Sequence, residues 1–212
     1  MFCFMENQGY ILGLDASTTE IGYCIWNKED NTIIELSHLT LNEDFTLLQK
    51  VIEFKTWLLN KQKEYPQINE MVIEEAFQKM NSGSRIQVLL MLAAINFAYQ
   101  FVCHEAGLPV STILVARARF NAFEDFKPQR KAAADGKDHK AQMFDHVSKS
   151  LSKEYFPTKI LKSGPRKGLE VPEDFCKDIS DAYVVALGFV RFREKEKLKK
   201  ENGGKKIRLR KA

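Results

Sequence analysis

The chain has 212 residues, 44% of them hydrophobic, and a formal net charge of +4. That suits one globular domain with a substantial core, or one domain and a tail. No apolar run reaches the ~18 residues of a membrane span, and MFCFMENQGY at the start lacks the basic and apolar regions of a signal peptide, so neither a membrane association nor export is expected. Cys3, Cys24, Cys103 and Cys176 are scattered without CxxC spacing, as reduced thiols of a cytoplasmic protein would be, rather than a zinc site or a disulfide framework.

In chain order, residues 10–15, 21–26 and 32–40 alternate or run apolar at strand length between short polar turns, which predicts a β-meander. Residues 43–64 place Phe45, Leu48, Val51, Ile52, Phe54, Leu58 and Leu59 near helical spacing, and Pro66 stops that helix. NEMVIEEAF, 69–77, reads as a fourth strand, 82–107 as a second long helix ended by Gly107, and PVSTILVA, 109–116, as a fifth strand. The polar segment 121–136 reads as a loop, 138–153 as a helix, and 157–172, with three prolines and two glycines, as another loop. A last helix starts near Glu173 and runs into the C-terminal segment.

Charge divides the chain. Residues 191–212 hold eleven basic and three acidic residues, a net +8, which leaves the rest at −4. The expected organisation is therefore a domain over 1–190 and a basic tail over 191–212, either a phosphate-binding arm or a solvated terminus. The predicted order of elements gives an α/β domain with a five-stranded mixed sheet and helices on both faces, the topology of the RNase H-like fold.

Acids gather at one end of that sheet. Asp15 closes the first strand and Glu74-Glu75 the fourth; parallel neighbours bring those ends together, where α/β sheets bind ligands. Asp178 and Asp181 are i, i+3 on the last helix and share a face. Singly, each acid has a plainer role: a turn, a solvated strand end, a helix dipole. Together they would repel one another unless cations intervene, and an all-oxygen set suits magnesium or manganese.

These motifs resemble those of the RuvC-type Holliday junction resolvases, in particular diverged phage and viral members. The resemblance covers about residues 10–190: ILGLDASTTEIGY stands for a first strand of the form ILGIDPG…TGY, IEEAF for the IEQ.F-like strand end, and DISDAYVVA for DAADALA. It implies two divalent ions, magnesium or manganese, held by Asp15, Glu74, Asp178 and Asp181, with Glu75 as the alternative to Glu74 if the register shifts by one. It implies an aromatic at Phe77 stacking at the junction, and a catalytic lysine in GKDHKAQMF, either Lys137 or Lys140. Arg85 and Lys131, with Lys137 and Lys140, complete the expected DNA contacts. Ala16-Ser17 replaces the family's Pro-Gly, the 121–136 loop looks longer, and the basic tail is extra.

The implied activity is hydrolysis of four-way or other branched DNA by a homodimer that uses no small-molecule cofactor, in the cytoplasm, or the host cell's cytoplasm if the source is viral. The apolar helix around 85–102, with Leu90, Ala94 and Phe97, is the candidate dimer face. GLDASTT also resembles the phosphate loop of the sugar-kinase, actin and Hsp70 ATPases. Those need two such domains and a second phosphate loop, and give the DxxD pair no role. A non-catalytic branched-DNA-binding protein is the remaining alternative.

Overall fold

The computed structural model describes residues 9–75, 86–129 and 136–202. A five-stranded sheet of order β3-β2-β1-β4-β5 lies at its centre. β1 (Tyr10–Asp15), β2 (Glu20–Asn27) and β3 (Thr32–Thr40) form an antiparallel meander, and β4 (Ile68–Glu74) and β5 (Val110–Ile113) run parallel to β1. This is the mixed α/β sheet that the sequence predicts.

Successive side chains of a strand point to opposite faces, and here they feed two cores. Leu12, Leu14, Tyr23, Ile25, Met71 and Ile73 pack under α1 (Leu47–Glu64) and α2 (Ile86–Glu105). Ile11, Cys24, Trp26 and Val72 pack under α5 (Cys176–Glu201), flanked by α3 (Val115–Ala122) and α4 (His139–Ser150).

α1 starts at Leu47, later than the sequence predicts. Asn42 accepts the Asp44 N–H through its side chain and the Phe45 N–H through its carbonyl, which turns the chain, and Thr46 with Gln49 then forms a capping box. Its buried stripe is Lys50, Phe54 and Leu58, while Leu48, Ile52 and Leu59 are exposed. Lys50 reaches the Thr18 carbonyl at 2.8 Å and so ties α1 to the turn after β1.

α2 corrects one expectation: its 20 residues are long and apolar enough, by length and composition, to cross a membrane. Only one side of it meets the sheet, through Ile95, Asn96, Tyr99, Val102 and Cys103. Leu90 (64% exposed), Phe97 (71%), Ile86, Val88, Met91 and Phe101 lie open.

Two elements depart from the sequence reading. β5 ends at Ile113 and the chain turns at once into α3, where a strand to 116 and then a loop were expected. Residues expected as a loop hold a small antiparallel hairpin, β6 (Thr158–Ile160) with β7 (Glu170–Pro172). α5 begins at Cys176 and continues unbroken to Glu201, so residues 191–201 of the basic segment are helical. Arg191 bonds the Ala122 carbonyl, Arg193 pairs with Glu70, Lys195 with Glu124 and Lys199 with Glu196.

Candidate active site

Strand register places the first two acids. Leu14 lies beside Ile73 in the parallel pair, so Asp15 falls next to Glu74. Alternation puts Asp15 on the face of Ile11 and Gly13, and Glu74 on the face of Val72, which is the side that α5 covers. Glu75 lies past the end of β4, and alternation assigns it to the opposite face; its N–H donates to the Ile113 carbonyl.

The turn between β1 and β2 is built by Ser17, whose hydroxyl accepts from the Thr19 and Glu20 N–H groups and donates to the Glu20 carbonyl. Tyr99 and Lys50 hold the Ser17 and Thr18 carbonyls from the other face. The polar residues after Asp15 thus shape the strand end.

α5 brings the second pair. Its first turn lies directly on β2, because a Cβ on Gly22 would stand 2.0 Å from the Asp178 carbonyl oxygen. Gly13 does the same further along, where a Cβ would meet that of Ala186 at 2.7 Å. Any side chain at these positions would lift the helix and carry Asp178 and Asp181 away from Asp15. Asp181 is only 4% exposed.

Lys140 stands among the acids. Its Nζ is 2.7 Å from Asp178 Oδ1, 3.1 Å from Asp15 Oδ2 and 3.1 Å from Asp181 Oδ2. Asp138 caps α4 by accepting the Ala141 N–H, so Lys140 lies in the first turn, where the helix dipole disfavours a cation. The carboxylates supply the compensating attraction. Lys137, the other lysine that the sequence offers, pairs with Asp145 on α4. Phe77, Arg85 and Lys131 lie outside the described residues.

The sequence reading missed Arg119. It projects from α3 with Nη2 3.4 Å from Asp181 Oδ1, and its buried Nε has no hydrogen-bond partner among the described residues. Its signal was hidden because the segment reads as a strand running into a loop.

The electrostatics follow from burial and crowding. Burial first, then repulsion from Asp181 and Asp178, pushes Asp15 up to about 6 against the pull of Lys140. Burial, then Asp15 and Asp181, pushes Glu74 up to about 7 against Arg119 and Lys140. Burial disfavours the Lys140 ammonium, but the three aspartates outweigh it and hold the lysine charged well above its usual range. Four carboxylates thus face two cations, Lys140 and Arg119.

The donor set fits a hard divalent cation. Three carboxylates already converge on one positive centre, the ammonium, at 2.7–3.1 Å. Magnesium would need oxygens at about 2.0–2.1 Å, and no three acid, His or Cys side chains among the described residues are gathered that tightly as they stand. Filling the site would therefore require the acids to draw closer and the Lys140 ammonium to withdraw.

No family model and no curated protein matches the chain. Solved structures do. Thermus thermophilus RuvC in complex with a Holliday junction substrate shares 13% identity at a TM-score of 0.54, over 89% of this chain and 96% of that one. RuvC of the same organism in a second structure shares 16% at a TM-score of 0.54, over 88% and 96%. The yeast mitochondrial Holliday junction resolvase Ydc2 shares 15% at a TM-score of 0.52, over 92% and 83%. At such identities the likeness is one of fold, and the chain has the RNase H-like fold in the form found in RuvC-type Holliday junction resolvases.

Proposed function

We propose that the protein is a metal-dependent endonuclease that cuts branched DNA, four-way junctions above all. The observation that carries this reading is the gathering of Asp15, Glu74, Asp178 and Asp181 from three elements around one cationic centre, on a fold similar to that of junction resolvases. Asp15, Glu74, Asp178 and Asp181 would together hold two magnesium or manganese ions. When bound, such ions activate the attacking water and stabilise the leaving oxygen. Water oxygen then bonds to phosphorus, the bond to the 3′ oxygen breaks, and that oxygen takes a proton, leaving a 5′-phosphate and a 3′-hydroxyl.

The chain's own groups have distinct tasks. Burial of Asp181 and the close seating of α5 on β1 and β2 fix the backbone that carries Asp178 and Asp181, so only side chains need to adjust as the site fills. Lys140, released from the carboxylates, is placed to meet the negative charge that grows on the phosphoryl oxygens. Arg119 holds Asp181 and keeps a spare donor at Nε. The basic residues from 191 on, beyond those engaged by Ala122, Glu70, Glu124 and Glu196, form the phosphate-binding part of the chain, and the reading carries a cytoplasmic location with it.

Clean resolution of a four-way junction needs two symmetric nicks, hence two sites. We place the second in a two-fold partner packed on the open face of α2, where Leu90, Ala94, Phe97 and Phe101 leave an apolar strip uncovered. Sedimentation should then show a particle near twice 24.4 kDa. Leu90→Asp with Phe97→Asp should give a monomer that makes single, uncoupled nicks, and a wild-type monomer making paired cuts would refute the dimer.

The activity itself is tested with a labelled panel of four-way junction, three-way junction, flap and linear duplex in magnesium. Cutting of the branched forms, lost in EDTA, is the expected result. DNA binding without cutting would favour a non-catalytic branched-DNA-binding protein, and magnesium-dependent ATP hydrolysis without DNA would favour the ATPase alternative.

A further inference from the structure

We infer that the β6–β7 hairpin is a second DNA-gripping element, which holds the phosphate backbone of the duplex arm beside the cut; this rests on the nuclease reading of the acid cluster. The hairpin is spliced between α4, which carries Lys140, and α5, which carries Asp178 and Asp181. Its root is fixed next to those acids. The Pro157 carbonyl accepts the Glu173 N–H at 2.9 Å and the Cys176 thiol at 3.4 Å, two residues before Asp178.

Charge is segregated along the hairpin. Glu173 and Asp174 lie at the root and pair with Lys159, while Glu170, opposite Ile160 at the outer end of the ladder, accepts from the Thr158 hydroxyl. The tip, LKSGPRKGL over 161–169, carries Lys162, Arg166 and Lys167, all exposed and none with an acidic partner among the described residues. The tip is also a built turn. The Leu161 N–H donates to the Leu169 carbonyl at 3.0 Å, the Gly168 N–H to the Leu161 carbonyl at 2.8 Å, and the Lys167 N–H to that of Gly164 at 3.0 Å. Gly164 and Gly168 take the left-handed backbone at φ 79° and 87° that this closure needs.

The paired strands, three residues each, span about 10 Å at ~3.3 Å per residue, about three base pairs of duplex at 3.4 Å each, and present the closed tip beyond them. Three unpaired cations held on an ordered loop suit phosphates, whose contacts position a duplex without reading its sequence. The acid cluster repels DNA wherever metal has not neutralised it, so a cationic arm rooted beside it holds the substrate over the site.

The test measures junction binding in the Asp15→Asn background, where no cutting intervenes, across a salt series. Replacing Lys162, Arg166 and Lys167 together by Ala should lower the slope of log affinity against log salt by about 2–3, at roughly 0.9 per lost contact. Lys162→Arg, Arg166→Lys and Lys167→Arg combined should restore it, which separates charge from folding. Ser163→Cys bearing a photo-crosslinker should couple to a duplex arm of the junction. An unchanged slope or the absence of an adduct, with cleavage by the wild type intact, overturns the hairpin's role alone. Failure of the wild type to bind or cut any branched DNA overturns the nuclease reading and the hairpin's role with it.

Discussion

Two buried charge clusters lie at opposite ends of the sheet face that α5 covers. At the far end, Glu70 of β4 is 6% exposed and faces Arg193 of α5 at 2.7 Å, Lys28 at 3.9 Å and the Ser111 hydroxyl at 3.3 Å. Arg193 also lies over the Phe189 ring at 4.5 Å. One carboxylate meets two cations there, and no negative charge is left over. At the near end four carboxylates meet Lys140 and Arg119, and the surplus pushes Asp15 up to about 6 and Glu74 up to about 7, with burial the largest cause. Buried acid occurs at both ends; only one end has negative charge beyond what its neighbours offset. The surplus marks the place where the fold tolerates strain that a bound cation would relieve.

The sharpest way to break this contrast is to exchange one acid at each end. Asp15→Asn should reduce junction cleavage by at least about 10³-fold, ~4 kcal/mol of transition-state stabilisation, with junction binding kept, as read by single-turnover cleavage and gel shift. Glu70→Gln should leave the cleavage rate of folded protein within about twofold, because distant, independent sites add without coupling.

Lys140→Met sharpens the near end. Cleavage should fall by about 10²–10³-fold, as when a preorganised stabilising group is removed. The metal-free protein should also lose stability, since three aspartates then face one another without the ammonium, and magnesium should raise the melting temperature of this variant more than that of the wild type. An equal shift in both would mean that Lys140 does not occupy the cation's place.

Glu70→Gln has its main effect on stability. It strands Arg193 and the half-buried Lys28 without their carboxylate, a loss of about 1–3 kcal/mol in denaturant unfolding, reduced from the fully buried case because Arg193 is half exposed. Magnesium should not recover it.

The near end alone should also show a pH dependence of stability. Asp15 and Glu74 bind protons more tightly in the folded chain than in the unfolded one, where they titrate near 3.8 and 4.5. Between those values and about 6–7 the folded state holds more protons, so stability falls as pH rises through that window and levels off above it. For Asp15 the loss is at most about 3 kcal/mol. Thermal melts from pH 4 to 8 in EDTA should show the decline, and saturating magnesium should flatten it, because a bound ion favours the ionised carboxylates.

The near end was largely legible in the sequence, because each acid sits where an element's period fixes its direction. Asp15 and Glu74 end strands whose alternation assigns their faces, and the Asp178–Asp181 spacing is one helical turn. Alternation likewise separates Glu74 from Glu75. Lys137 and Lys140 were inseparable, since they are three residues apart at the start of one helix and only the docking of α4 on α5 singles out Lys140. Arg119 stayed hidden because Val110–Ile113 flows into Val115 with no polar cap: the N-cap of α3 is Leu114, which makes no side-chain cap bond. The hairpin stayed hidden because its glycines and prolines, read as loop signals, serve a tight ribbon instead. The open face of α2 was visible as excess apolarity, and Leu90, Ala94 and Phe97, named for it from the sequence, are exposed.

The most direct measurement is a manganese titration followed by electron paramagnetic resonance, on the wild type, Asp15→Asn and Glu70→Gln. If surplus charge at the near end makes a divalent-cation site, the wild type and Glu70→Gln bind two ions per chain, and Asp15→Asn loses at least one of them. Equal manganese binding by all three proteins, or none by the wild type with junction DNA present, would contradict it.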